Sequence, residues 1–372
     1  MWRRSLILAV ALVAAASGCA TRPDASGTPP PPSGPIDLRV VGERAAHTAT
    51  SLADGTVLVA GGCVVDGCGS ATADTFVVAA DGRTAARGPQ MSGPRDGHTA
   101  TLLGDGHVVL VGGFAGEGQG ALGSVDLFDP KAHTIVAVAK LGIARGGHAA
   151  ALAGDGRVVI AGGWIASHTY TSTTELFDPR TGALSDGPDL PWAADGLDAV
   201  TLADGRVLVT GGQVKPGIGT DSAAIFDPAS NAWVETGRLI TPRFKHASVL
   251  LEDGSVLVMG GTTDDSNILA STEIFDPRTG RFSPGPDLVE HRYKMQGGAL
   301  VLDEHRVAVA GGGRTIEVLD LAAGQSQIIV SFAGRGSFTT LNRLGSGGLL
   351  VVGGYDDHIA LRRDVRVIPA QA

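Results

Sequence analysis

Four Arg-x-x-His tetrads stand out: Arg44 with His47, Arg95 with His98, Arg145 with His148, and Arg243 with His246. Four guanidinium groups, with Lys294 in a later copy, could ring a pocket for an anion, because Arg grips carboxylate and phosphate through paired N–H donors. The repeat favours a plainer chemistry. A carboxylate follows each cation: Asp126 after Arg95, Glu175 after Arg145, Glu273 after Arg243 and Glu317 after Lys294. In a further copy the cation place is Ala194 and the carboxylate place is Ala224, so both members vanish together. Buried ion pairs behave this way. Losing one partner strands a charge at a cost of about 3–5 kcal/mol, while replacing both is nearly neutral. These four cation–carboxylate sets are therefore expected to be structural. The first copy has Thr75 in the carboxylate place, with Asp74 beside it. The histidines, replaced by Leu197 and Gly297 in two copies, share one role among equivalent units. That points to packing and strand-end hydrogen bonding rather than catalysis.

The elements that must carry these residues form one repeat. Each copy runs from the tetrad through an apolar strand, an Asp-Gly turn, a second apolar strand and a Gly-Gly pair. The pairs are Gly61-Gly62, Gly112-Gly113, Gly162-Gly163, Gly211-Gly212, Gly260-Gly261, Gly311-Gly312 and Gly353-Gly354. Asp-Gly supplies the positive φ angles of a tight hairpin, which accounts for Asp54, Asp105, Asp155, Asp204 and Asp253 as turn residues. A third strand ends in Phe-Asp-Pro, as at Phe177-Asp178-Pro179, and a fourth follows. A single such sheet exposes both faces and cannot hold a core, so the units must pack radially. The fold expected is all-β: a seven-bladed β-propeller of four-stranded antiparallel blades. The last unit lacks an outer strand, and the segment from Ile36 to Val41 is expected to supply it and close the ring.

The residues that the repeat does not explain gather in the loops after Gly-Gly and before each first strand, which a meander of this kind brings to one face. They are Trp164, His168, Tyr170, Trp192, His291, Arg292, Tyr293, Tyr355, Asp356, Asp357 and His358, with Asp264 and Asp265 beside them. Exposed aromatics next to polar groups suit stacking on a sugar or gripping a peptide. The expected partner is a protein or a carbohydrate, bound by a non-catalytic module through this face. Calcium at the Asp264-Asp265 or Asp356-Asp357 pair is a further reading.

The Arg-x-x-His, Asp-Gly, Gly-Gly and Phe-Asp-Pro series resembles kelch repeats, closest to the propellers of galactose-oxidase-like proteins, over roughly residues 36 to 369. The resemblance implies fold far more than function. It also implies an alternative, a copper-dependent oxidase resembling galactose or glyoxal oxidases, whose propellers use two Tyr and two His as ligands and a Cys linked to one Tyr. Here His168 with Tyr170, His291 with Tyr293, and Tyr355 with His358 would be the candidate donors, and imidazole suits copper. The first two repeats contain no tyrosine, and Cys63 and Cys68 have each other as partners.

Composition and the N-terminus bound the rest. The chain of 372 residues holds 55 glycines and a formal net charge of −9, which argues against nucleic acid as a partner because phosphate neutralisation needs a basic surface. Residues 1–18 read as a signal peptide, with Arg3 and Arg4 ahead of an apolar stretch. Ala16-Ser17-Gly18-Cys19 resembles the lipobox of bacterial lipoproteins, which implies lipidation at Cys19, membrane attachment by that anchor and an envelope location, the outer membrane or cell surface. Residues 19–35 form a Pro-rich tether containing Pro29-Pro30-Pro31-Pro32, and 36–372 the propeller. In an oxidising compartment Cys63 and Cys68 are spaced for a small loop disulfide. A monomer is expected.

Overall fold

The computed structural model describes residues 37–116, 118–166 and 169–369. The expected signal peptide, the tether with Cys19, and His168 lie outside the described residues.

Among the described residues seven antiparallel blade sheets follow one another along the chain, and two small hairpins, Trp164–Ala166 with Thr169–Tyr170 and Gln213–Lys215 with Ile218–Gly219, stand in the loops of blades three and four. Blade one is typical: Thr48–Ser51, Val57–Ala60, Thr75–Val78 and Ala85–Arg87, paired in that order. Blades two to six repeat the order, beginning at Thr99–Leu102, Ala149–Leu152, Asp198–Thr201, Ala247–Leu250 and Ala299–Val301. Each second strand is sandwiched between neighbouring sheets on both faces, and its sequence is accordingly a continuous apolar run. Val57–Ala60, Val108–Val111, Val158–Ala161, Val207–Thr210 and Val256–Met259 are buried at every position.

The core is not one mass but seven layers, one per seam between blades. Leu58 and Ala60 of blade one pack on Val108, Leu110 and Phe128 of blade two. Val109, Val111 and Val125 of blade two pack on Val158, Ile160 and Phe177 of blade three. The third-strand phenylalanines Phe76, Phe128, Phe177, Phe226 and Phe275 are almost fully enclosed. Each contributes on the order of 2–3 kcal/mol of burial.

The Gly-Gly pair is what lets the seams close. A Cβ at Gly61 would lie 2.5 Å from the carbonyl oxygen of Arg95 in the next blade, and φ there is +62°. Only glycine fits both constraints.

Blade seven has three strands, Thr340–Arg343, Leu349–Val352 and Val365–Ile368. The expected closing strand does not form over the described part of the N-terminal segment. Asp37 makes one parallel bridge to Thr84 of blade one, and Arg39–Val41 is a 3-10 turn. The segment closes the ring as a wedge: Leu38 and Val41 fill the layer made by Val57, Val59 and Phe76 of blade one with Leu350 and Val352 of blade seven. Burial of two apolar side chains replaces a strand's ladder of hydrogen bonds.

Candidate ligand-binding mouth

The tetrad arginines lie inside the blades. Arg95 Nη2 is 2.9 Å from Asp126 Oδ2, Arg145 Nη2 is 2.9 Å from Glu175 Oε1, and Arg243 Nη2 is 2.6 Å from Glu273 Oε1, with each guanidinium fully buried. Backbone carbonyls take further donors: Arg145 Nη1 donates to the carbonyls of Gly162 and Thr173. Arg44 has no carboxylate there. It donates to the Gly61 carbonyl at 2.7 Å and lies 4.7 Å over the Phe76 ring, and burial lowers its pKa to about 10. The matching Thr75 hydroxyl donates instead to the Pro89 carbonyl.

Blade six corrects the expected Lys294–Glu317 pair. Glu317 binds Arg292, whose Nε is 2.6 Å from Oε1. The tetrad there is Arg292-Tyr293-Lys294-Met295, shifted two residues from the expected register. Met295 fills the place of the motif histidine: a Cβ on Gly260 would meet Met295 Sδ just as one on Gly211 would meet His246 Cε1. Arg292 is therefore a buried structural residue and not part of an exposed face, and Gly297 is not the histidine's replacement.

The histidines latch neighbouring strands around the axis. His98 Nε2 pairs with Thr48 Oγ1 at 3.0 Å, His148 with Thr99 at 2.9 Å, and His47 with Thr340 at 3.0 Å across the closing seam. His246 pairs with Thr210 at 2.8 Å. Burial holds His47, His148 and His246 at about 3, so these rings are neutral.

The two variable places of the tetrad build the mouth. Its third residue is Ala46, Gly97, Gly147, Gly196, Lys245, Lys294 and Phe338 in turn, and all seven have φ between +51° and +63°. Backbone hydrogen bonds link them from blade to blade: Gly97 N–H to Ala46 O, Gly147 to Gly97, Gly196 to Gly147, Lys245 to Gly196, and Phe338 to Lys294. A narrow ring thus surrounds the axis. At Lys245, Lys294 and Phe338 the left-handed backbone costs roughly 1–2 kcal/mol per residue.

Above this ring, side chains divide by charge. Asp96 and Asp195, the second tetrad residues of blades two and four, line an open depression of about 720 Å³ with Phe114 and Trp164. Those two rings meet edge-on, centroids 5.2 Å apart. Desolvation raises Asp96 to about 7 and Asp195 to about 6. On blades five and six stand Lys245 and Lys294, and desolvation lowers both. Lys294 Nζ donates to Tyr355 Oη at 2.5 Å and lies 4.8 Å over the Tyr293 ring.

Of the residues expected on the face, Trp164 and Tyr170 are half-buried at the mouth, and Tyr170 Oη accepts from Gln213 Nε2 at 2.5 Å. Trp192 donates to the Gly211 carbonyl and packs on the seam between blades three and four. Tyr355 is buried against Ala45, Cys63 and Phe338. His291 and His358 are exposed. Asp356 closes its own turn by accepting from the His358 and Ala360 amides, and Asp264 does the same with Ser266 and Asn267. Asp357 pairs with Arg314 and Arg335. Asp96, Phe114, Asp195, Gln213 and Lys245 escaped sequence reasoning; the signal was their place inside or just after the motif, where copies differ.

Among the described residues the donors do not fit copper or calcium. Among the described residues no three His, Cys, Asp or Glu side chains come together as a metal site. The Tyr355 phenol is held by Lys294, His291 Nδ1 is 2.7 Å from the Ile268 carbonyl, and Cys63 is bonded to Cys68. Asp264 and Asp356 spend their oxygens on their own turns and Asp357 on arginines, which leaves, of these four, Asp265 alone facing Lys245 and Lys294.

The kelch motif matches residues 145–191 and 243–289, which span the third and fifth tetrads and their blades. The solved structure of YjhT superimposes with a TM-score of 0.57 at 14% identity, covering 88% of this chain and 95% of that one. No curated protein matches the chain. At that identity the likeness to YjhT bears on fold alone, and the repeats agree with it: the chain is a seven-bladed β-propeller carrying kelch motifs.

Proposed function

We propose that this propeller is a non-catalytic binding module of the bacterial cell envelope that takes a carbohydrate at its axial mouth. The fold is consistent with a binding or scaffold role. The observation that carries the ligand class is the Phe114 and Trp164 pair beside Asp96 and Asp195 in one open depression. An aromatic edge offers a sugar ring an apolar platform, and carboxyl oxygens accept from its hydroxyls. The signal-like residues 1–18 and the lipobox-like Cys19 support an envelope location.

A protein partner is the second reading. Val65, Ile218 and Ile359, from the loops after Gly-Gly in blades one, four and seven, are 51%, 50% and 42% exposed. Apolar side chains at the rim of a polar mouth suit a protein contact.

A glycan array followed by calorimetry on the full chain separates the two. Binding of a glycan that Trp164→Ala and Phe114→Ala weaken at least tenfold supports the first. An array with no hit, together with a stable protein complex that Val65→Asp or Ile218→Asp breaks, replaces it with the second.

A further inference from the structure

The seven residues of the axial ring share one backbone conformation but not one cost. Glycine occupies it freely at Gly97, Gly147 and Gly196, so the ring geometry itself asks for no side chain. At Lys245 and Lys294, φ is +53° and +57°, where a Cβ is opposed sterically. Strain of this kind persists where the side chain is needed, and it gathers at ligand sites.

Aromatic rings pack around Lys294, whose Nζ also lies 4.9 Å over Tyr355 and 5.8 Å over Phe338, but no carboxylate neutralises either lysine among the described residues. Unlike Arg95, Arg145 and Arg243, neither forms an ion pair among the described residues. Lys294 bonds the Tyr355 phenol, and Lys245 lies 5.5 Å over the Phe244 ring with its stem against Gly196. The charged groups that face Lys245 are Asp195, Lys294 and Asp265, with the Tyr293 phenol, and Asp265 also faces Lys294. Two half-buried ammonium groups thus stand on consecutive blades of an acidic protein, at the axis, with carboxylates beyond ion-pair distance. An anion entering between them would satisfy both.

We propose that Lys245 and Lys294 form a subsite for an oxyanion, the carboxylate, phosphate or sulfate group of a ligand entering the axial mouth. This rests on the mouth being the binding face, but not on the ligand being a sugar.

The test sets stability against binding. In the full chain, Lys245→Gly removes the strain and the charge together. Its melting temperature is expected to rise by about 1–2 °C. Inorganic phosphate should raise the melting temperature of the parent saturably, above chloride at equal ionic strength. Lys245→Gly should reduce that response at least fivefold, and Lys245→Arg should retain most of it. A Lys245→Gly protein that melts lower with its phosphate response intact makes the lysine structural and overturns the proposal. So does a parent that answers phosphate no better than chloride. Glycan binding without a phosphate response would sink the subsite and spare the sugar reading, and the reverse result would do the opposite.

Discussion

Asp66 Oδ1 accepts a hydrogen bond from the Leu361 amide at 2.8 Å, joining blade one to blade seven across the seam where the ring closes. The Gly67 amide adds a second bond, to the Ile359 carbonyl at 3.0 Å. Both come from the loop closed by the Cys63–Cys68 disulfide. Cys63 itself is buried beside Tyr355, which holds Lys294 at the mouth. A short covalent loop therefore braces the seam and the mouth together.

Opening that loop should loosen the seam selectively. A Cys63→Ser/Cys68→Ser double variant is expected to lose about 2 kcal/mol, the chain-entropy value for so small a loop. Amide exchange at Gly67 and Leu361 should quicken at least tenfold, with the seam between blades three and four unchanged. Because Cys63 is buried, Asp66→Ala with the disulfide intact is the companion test, and it should quicken Leu361 alone. Uniform acceleration around the ring would deny the loop any special place.

The N-terminal wedge makes a second claim on the same seam. If Leu38 closes the ring by burial, Leu38→Ala should cost about 2–4 kcal/mol by transfer and cavity terms, measured by urea unfolding. A closing strand would instead depend on backbone pairing and tolerate that change at under 1 kcal/mol.

The buried pairs predict strong non-additivity. Glu175→Gln should destabilise by about 3–5 kcal/mol because it leaves the fully buried Arg145 without its carboxylate, whereas Arg145→Ala/Glu175→Ala copies what blade four has at Ala194 and Ala224. The double variant should therefore cost less than the sum of the single ones by at least 1 kcal/mol. Additive costs would mean that the pair is not coupled.

Blade number, the hairpin turns and the ion pairs of blades two, three and five were legible because each is repeated, and repetition exposes what the fold requires. Blade six misled because Met295 replaced the histidine, so the tetrad lost its marker and Lys294 was aligned where Arg292 belongs. The closing wedge was not legible because Leu38, Val40 and Val41 suit a strand by composition; only the neighbouring layer, not local sequence, favours the turn. The mouth was half legible. Trp164, Tyr170 and Tyr293 announced themselves by rarity, whereas Asp96, Asp195 and Lys245 sit in places that a motif writes as x, and their meaning comes from meeting around an axis.

Acid should unfold the propeller through its histidines. His47, His148 and His246 are held near 3 in the folded state by desolvation, against an ordinary value near 6.5, and His98 is pushed down for the same reason. Below about 6.5 the unfolded chain takes up protons that the native rings refuse, so these groups make stability fall as pH drops from 6.5 toward 3. Asp198 works in the other direction. Desolvation raises it to about 7, so the native state holds the proton and stability falls as pH rises from about 4 to 7. His246→Met, which copies Met295 of blade six, should flatten the acid limb of the urea-melt profile between pH 6.5 and 4. Asp198→Asn should flatten the opposite slope and raise stability at pH 8 by about 1–2 kcal/mol. An unchanged profile in His246→Met would mean that the ring is protonated in place, and the latch to Thr210 would then have to be that of a cation.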